Sequence, residues 1–316
     1  VMLALAAMTQ RPAPVYACGG GDGSAYDALV AANNPLLPYD LTNTYNAGST
    51  GNGANYQLTA VAAPTAGGAA SLIANGDGAT ALDGTQGFYL TGDGNGGAVN
   101  CGFTTRTVEL WFSPASLPVN QEQMLYEEGG GTNGLNVYLY NDQVYAGVWV
   151  GTNRAYISTP NFVEVGKIYY VTFVYNAGAM ELYVNIPNNA GNNPAPIATG
   201  TGPAAMINHA DQNGIGLVRQ DTYTHVGQIN NANGVNTNFF DGTMDNVAVY
   251  ASAFTAQQAT EKFGMTDGVT VTPNCHPTAV SLSGFTAVSS VMMPIVLAMF
   301  ALLTIATAVA VRHHRS

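Results

Sequence analysis

Two carboxylates, Asp241 and Asp245, stand at the head of the apolar run FFDGTMDNVAVYASAF, residues 239–254. Their types and spacing would suit an acid–base pair, a metal site or turn punctuation. If the run is extended, its side chains alternate, so Asp245 shares a face with Val247 and Val249, while Met244, Asn246, Ala248 and Tyr250 take the other. With the valine face in a core, Asp245 points inward. A buried carboxylate needs a partner, and either a hard cation with oxygen ligands or a set of backbone N–H donors meets that need. Asp241 precedes Gly242 and reads as a turn residue.

Other chemistry-bearing residues are sparse. Glu127 and Glu128 are adjacent, hence on opposite faces of a strand, and run into Gly129-Gly130-Gly131. That glycine stretch lacks the Lys-Ser/Thr end and the following helix of a phosphate loop. Asp211, Asp221 and His225 lie near QNGIGLVRQDTYTHVG, yet no Ser or Cys stands beside a His as an activated nucleophile. A glycosidase needs two carboxylates roughly 5 to 9.5 Å apart on a sugar-binding face, and no compact pair of this kind is visible. The expectation is therefore a non-catalytic protein.

Aromatic side chains are more plentiful, with 17 Tyr, Trp111 and Trp149. Aromatics on loops or a concave face can stack on sugar rings, whereas most in a β protein serve as core or cross-strand pairs. Loop candidates for ligand contact are Tyr223, His225 and Asn231 in QDTYTHVGQINNANGVNTN. The alternative for these three is an ordinary variable loop.

The elements that must position these residues are strands. The 316 residues are 47% hydrophobic and only 9% charged, with 37 Gly and few of the residues that helices favour on exposed faces. Runs such as Arg106–Phe112, Leu135–Tyr140, Gln143–Trp149, Tyr169–Tyr175 and Met180–Asn185 alternate or bunch apolar residues between turn formers. Asn141-Asp142 and the stretch 176–179 read as hairpin turns. Many short strands at this spacing imply an all-β, two-sheet antiparallel sandwich. A short helix is expected over Thr255–Phe263 with Thr255 as N-cap.

Net charge is −11, from 19 acidic against 8 basic residues, which argues against a nucleic-acid partner. The acidity is compatible with cation binding and equally with plain solubility. Cys18, Cys101 and Cys275 are far apart and have no C-x-x-C spacing, so a zinc or redox site is poorly supported. If Cys18 is removed or modified during export, Cys101 and Cys275 are available for one disulfide in an oxidising compartment; two separate buried thiols are the alternative.

Both ends speak about location. Residues 1–17 read as the end of an export signal, with Val15-Tyr16-Ala17 before the cleavage point; a lipidated Cys18 is the alternative. Residues 18–35 and 265–287 read as a linker and a stalk. Val288 to Val311 is 24 residues without a charge, followed by the basic tail 312–316. At ~1.5 Å per residue such a helix reaches about 36 Å, enough to cross a bilayer core of roughly 30 Å. The basic tail keeps the C-terminus cytoplasmic and leaves the N-terminal body outside. The tail also resembles sorting signals that membrane proteases process; a GPI signal fits less well because it ends in apolar residues.

The order of elements resembles a known family, the laminin-G-like jelly rolls of the concanavalin A-like lectin/glucanase superfamily. Four stretches carry the resemblance. They are Ala81-Leu82-Asp83-Gly84 with Gly87-Phe88-Tyr89-Leu90, then Thr107 to Pro114, then Lys167 through Asn185, and finally Phe240 to Tyr250 with the short helix after it. Tyr169 stands where the family usually has Trp, and Ile186 where it has Gly. The resemblance covers roughly residues 36–264 and implies a jelly roll. It also implies a structural Ca²⁺, with Asp245 as the acidic ligand and Asp40 and Asn52 as candidate helpers.

The functional expectation is a membrane-anchored, extracytoplasmic recognition or adhesion domain that binds a glycan or an extracellular protein. The alternatives are a self-assembling surface or envelope protein and, less well supported, an anchored glycan hydrolase.

Overall fold

The computed structural model describes residues 24–41, 57–73, 78–91, 99–185, 195–230 and 235–263. In chain order these form α1 (Ser24–Ala32), β1 (Leu37–Tyr39), β2 (Gln57–Val61), β3 (Ala69–Ala70), β4 (Gly78–Asp83), β5 (Gly87–Thr91), β6 (Thr105–Pro114), β7 (Glu122–Gly129) and β8 (Asn133–Tyr140). There follow β9 (Gln143–Val150), β10 (Asn153–Ser158), β11 (Tyr169–Asn176), β12 (Ala179–Asn185), β13 (Ala198–Thr201), β14 (Gly214–Ile215), β15 (Thr222–Tyr223), β16 (Gln228–Ile229), β17 (Asp241–Tyr250) and α2 (Ala256–Thr260).

The strands make two antiparallel sheets. The first runs β13-β12-β11-β6-β17-β4-β3, with β1 also paired to β17; the second runs β10-β9-β8-β7-β14-β5-β2. Alternate residues of both sheets meet between them, among them Val108, Leu110 and Phe112 of β6, Leu135, Val137 and Leu139 of β8, and Val171 and Phe173 of β11. This is the two-sheet arrangement that the strand periodicity implies. The expected hairpins form, with Tyr140 paired to Gln143 and Asn176 to Ala179. Their turns place Asn141 at φ 56° and Ala177 at φ 48°.

The stretch read as a linker contains α1. Tyr26, Leu29 and Val30 are buried at the i, i+3, i+4 spacing of one helix face, and Tyr26 and Val30 pack on the outer side of the first sheet with Trp111. α2 docks on the same side, where Thr172 Oγ1 donates to Ala259 O at 3.1 Å. The capping box at Thr255 and Gln258 starts α2 as the sequence implies.

Two readings of the closing strand change. Asp241 is not a turn residue: it begins β17, paired with Asp83, and its N–H donates to Gln123 Oε1 at 2.7 Å. Gly242 is required there for another reason, since a Cβ would lie 2.3 Å from Ser113 O and φ is 154°. Asp245 does not share a face with Val247 and Val249. It stands opposite Trp111 on the outer side, while Met244 opposite Phe112 enters the inter-sheet core. The pairing then shifts between Asp245 and Ala248, and Asn246 takes φ 46°, so a bulge resets the alternation before Val247 turns inward.

Among the described residues no helix is long and apolar enough to cross a membrane. The proposed span at 288–311, residues 1–17, Cys18, Cys275 and the stalk lie outside the described residues.

Candidate functional site

The outer face of the second sheet differs in chemistry from its core. β8 presents Asn136, Tyr138 and Tyr140 outward, and β9 presents Tyr145, Gly147 and Trp149, because Leu135, Val137, Leu139, Val144, Ala146 and Val148 take the inner positions. Glu127 of β7 pairs with Asn136 on this face, whereas Glu128 turns to the interior and lies 3.4 Å from Arg106. Burial raises the Glu127 carboxyl well above its ordinary range, backbone N–H donors oppose the shift, and Asp211 adds to it. One of its oxygens accepts from Gly214 N at 3.0 Å.

The hairpin of β15 and β16 lies over this face. Its turn carries His225, whose ring stacks on Tyr145 with centroids 4.0 Å apart and planes within 6°. Tyr140 meets the same imidazole edge to face at 4.7 Å, and Tyr138 stacks on Tyr145 at 5.3 Å. Tyr138 is buried, Tyr140 and Tyr145 are half-buried and His225 is exposed. The rings thus form a shelf with one open side.

Hydrogen bonding fixes the imidazole. The Tyr138 hydroxyl accepts from His225 N–H at 2.9 Å and lies 2.9 Å from Nδ1. Having accepted one bond, that hydroxyl can give its own proton to Nδ1 when His225 is in the neutral Nε2–H tautomer. Burial lowers the His225 pKa, and the Glu122 charge works against that shift.

A polar cleft of about 490 Å³ adjoins the shelf. Three separate segments line it: Ser116, Pro118, Asn120, Gln121, Glu122 and Gln123 from the approach to β7, Asn238, Phe239 and Asp241 from the approach to β17, and Gly84. Shelf and cleft are one construction. Tyr140 OH donates to Asn120 Oδ1 at 3.2 Å, and Thr224 Oγ1, next to His225, donates to Glu122 Oε1 at 3.0 Å. Asn238 Nδ2 reaches the other Glu122 oxygen at 3.3 Å, and Gln123 is held between Ser116 O and Asp241 N. The arrangement offers a flat aromatic surface beside amide and carboxylate hydrogen-bonding groups.

The residues singled out from sequence divide. His225 belongs to the shelf. Tyr223 does not: it is packed beneath the Arg154 guanidinium at 3.3 Å, edge-on to Trp149, and its hydroxyl donates to Gln228. Asn231 and Asn52 lie outside the described residues, as does Cys275; Cys101 is half-buried. Tyr140, Tyr145, Asn120, Glu122 and Asn238 were missed, although parity about the Asn141-Asp142 turn already puts Tyr138, Tyr140 and Tyr145 on one face.

The supposed cation site has its own geometry. Asp245 Oδ2 accepts from Leu72 N at 2.8 Å and Ser71 Oγ at 2.9 Å, and Oδ1 accepts from Asn246 Nδ2 at 2.6 Å. Asp40 follows Tyr39, the partner of Val247, and so lies level with the bulge. Among the described residues a backbone N–H, a hydroxyl and a side-chain amide meet the Asp245 carboxylate. Among the described residues no three His, Cys, Asp or Glu side chains converge as a metal set.

The fold recurs in solved structures. The binding domain of botulinum neurotoxin DC, in complex with SialylT, superposes with a TM-score of 0.50 at 10% identity, over 74% of this chain and 52% of that one. The ligand-binding domain of botulinum neurotoxin serotype D, in complex with N-acetylneuraminic acid, gives 0.50 at 11% identity, again over 74% and 52%. Domain 4 of an extracellular arabinanase from Geobacillus stearothermophilus, in complex with arabinotriose, gives 0.49 at 17% identity, over 72% and 97%. This chain therefore spans about half the length of the neurotoxin domains. No curated protein sequence matches it. Residues 83–216 match the laminin-G-like family of the Concanavalin A-like lectin/glucanases superfamily, in agreement with the two-sheet sandwich those residues build.

Proposed function

We propose that the domain is a non-catalytic glycan-recognition module, with a sugar ring seated against the Tyr140–Tyr145–His225 shelf and its hydroxyls bonded in the adjoining cleft. The observation that carries the reading is the half-open ring stack joined by hydrogen bonds to a polar cleft. Stacked rings supply an apolar surface that matches the C–H face of a sugar, and the amides supply orientation. Neurotoxin binding domains of the same fold hold sialylated ligands, so a sandwich of this type is compatible with glycan binding.

Glu122 and Asp241 line the cleft, and Glu122 is engaged by Thr224 and Asn238 in holding the hairpin to the sheet. We assign them binding and positioning roles. The setting we infer is extracytoplasmic and membrane-anchored, on the sequence of residues 1–17 and 288–316. Protease shaving of intact cells should remove the domain if that setting is right.

The deciding experiment is a glycan array with the full chain, followed by titration of the best binder. Tyr140→Ala and His225→Ala should each weaken binding by about tenfold, or ~1.4 kcal/mol, without lowering the melting temperature by more than a few degrees. Failure of every glycan to bind, or binding indifferent to both substitutions, would remove the proposal. Turnover of a bound glycan would overturn its non-catalytic part.

A further inference from the structure

The ionisable side chains that line the cleft are Glu122 and Asp241, and its lining contains no Lys, Arg or His. Burial lowers the pKa of the neighbouring imidazole, which favours its uncharged form. Nearby guanidinium groups are committed elsewhere. Arg219 gives Nε to Gln212 and Nη1 to Asn236 and stacks over Tyr89 at 4.1 Å, while Arg154 lies over Tyr223. The whole chain adds to the same sign, at −11. Asn120, Gln121, Asn238 and Phe239 complete a lining that is amide and aromatic, able to orient hydroxyls but unable to neutralise an anion.

We propose that the cleft selects sugars bearing a free, protonated amine and rejects sialic and uronic acids. The proposal rests on the glycan-binding reading and names its ligand class. Its physical basis is that two carboxylates line one open cleft from separate segments, one at the start of β7 and one at the start of β17. An ammonium placed there gains from both, and a carboxylate is repelled by both. At the few-ångström separations of such a cleft, with a dielectric between water and protein interior, each interaction is on the order of a tenfold effect on affinity. An N-acetylated sugar loses the attraction and keeps the stacking. The preference is electrostatic and near the surface, so salt weakens it.

The test is calorimetric titration of the full chain with glucosamine trimer, N-acetylglucosamine trimer, lactose and sialyllactose, at low and high salt. The expected order near pH 7, where the His225 ring is neutral, is glucosamine trimer about tenfold tighter than its N-acetylated form, and lactose tighter than sialyllactose. The amine advantage should shrink at alkaline pH, where the amine is neutral, and in high salt. Asp241→Asn keeps the side-chain shape and should reduce the ratio of glucosamine-trimer to N-acetylglucosamine-trimer affinity to a few-fold, whatever it does to the affinity for either sugar alone. Equal affinity for the two trimers, or sialyllactose at least as tight as lactose, overturns the charge selection and leaves the glycan site standing. If none of the four sugars binds and the array is also blank, the glycan reading and the charge selection both fall. If binding is lost in Tyr140→Ala but the amine preference persists in Asp241→Asn, the site is right and its specificity arises elsewhere.

Discussion

The two outer faces of this sandwich treat a buried glutamate in opposite ways. On the first sheet, Glu109 takes Lys262 Nζ at 2.9 and 2.7 Å, Tyr170 OH on one oxygen and Tyr250 OH on the other, all of them buried. Trp111, Tyr170, Tyr183 and Tyr250 are sealed there beneath α1 and α2. On the second sheet Glu127 is equally buried but makes no ion pair among the described residues, where its Oε1, Asn136 Oδ1 and Tyr156 OH also have no hydrogen-bond partner. The cover there includes the short β15–β16 hairpin and Val218, and rings remain partly open. One face is closed around a neutralised ion pair and holds the fold; the other keeps polar groups and ring surface available, and the candidate site lies on it.

The sharpest way to break that contrast is to remove the cation from the closed face. Lys262→Met leaves Glu109 buried without a counter-ion and should cost about 3–5 kcal/mol. For a domain of this size that is a fall in melting temperature of roughly ten degrees, measured calorimetrically. Glycan affinity at temperatures where the variant is folded should be unchanged. Adding Glu109→Leu should recover part of the loss, because the stranded charge is gone. A Lys262→Met protein as stable as wild type would show that the ion pair does not secure this face.

Asp245 belongs to the same closed face. Asp245→Ala strands the Leu72 N–H, while the Ser71 hydroxyl keeps Ile73 O, and should cost about 2 kcal/mol. We expect the loss to be the same in Ca²⁺ and in chelator, and the wild-type midpoint to be unmoved between them. A ligand bound only by the native state must raise the midpoint, so a Ca²⁺-dependent wild-type midpoint that Asp245→Ala abolishes would restore the cation.

These two residues also show what sequence periodicity can and cannot carry. The strand runs around Leu110, Val137 and Phe173 and the turn at Asn141-Asp142 are local signals, and they placed the core and both hairpins correctly. Asp245 was assigned to the wrong face because one residue with positive φ, Asn246, inserts a bulge that period-two reasoning does not see. α1 escaped notice because three apolar residues in a Gly- and Ala-rich stretch make a weak helical stripe, strengthened only by Trp111 packing against it. The site was legible only at His225. Its cleft joins residues near 84, 120 and 240, and the shelf tyrosines look in sequence like any cross-strand pair.

On the open face, Glu127→Gln should stabilise the protein. The folded state raises this carboxyl above its ordinary value of 4.5, so the folded form binds the proton more tightly. Stability linked to Glu127 is then fully present below about 4.5 and is lost as pH rises toward the folded value. Glutamine does not titrate, so the variant's advantage should be absent near pH 4 and grow to a few degrees by pH 8, read from paired melting curves. A variant less stable than wild type at pH 8 would mean that the ionised Glu127 has a cationic partner there.

The smallest effect expected is also the one that joins the open face to binding. The His225 pKa is depressed from 6.5, chiefly by burial and against the opposing Glu122 charge, so the folded state favours the neutral ring. Its contribution is present above about 6.5 and is lost as pH falls through the lower folded value. Protonation turns Nδ1 into a donor toward a Tyr138 hydroxyl that already accepts His225 N–H, which leaves the Tyr138 proton without its acceptor. The hairpin should then loosen from Tyr138, and affinity for an uncharged glycan should fall several-fold between pH 7.5 and 5.5 with little change in global melting. Tyr138→Phe removes the same pair of bonds at every pH. It should bind several-fold more weakly at pH 7.5 and show a flattened profile, with the two proteins converging at acid pH. Parallel profiles for wild type and Tyr138→Phe would show that the Tyr138–His225 pair is not the source of the open face's pH response.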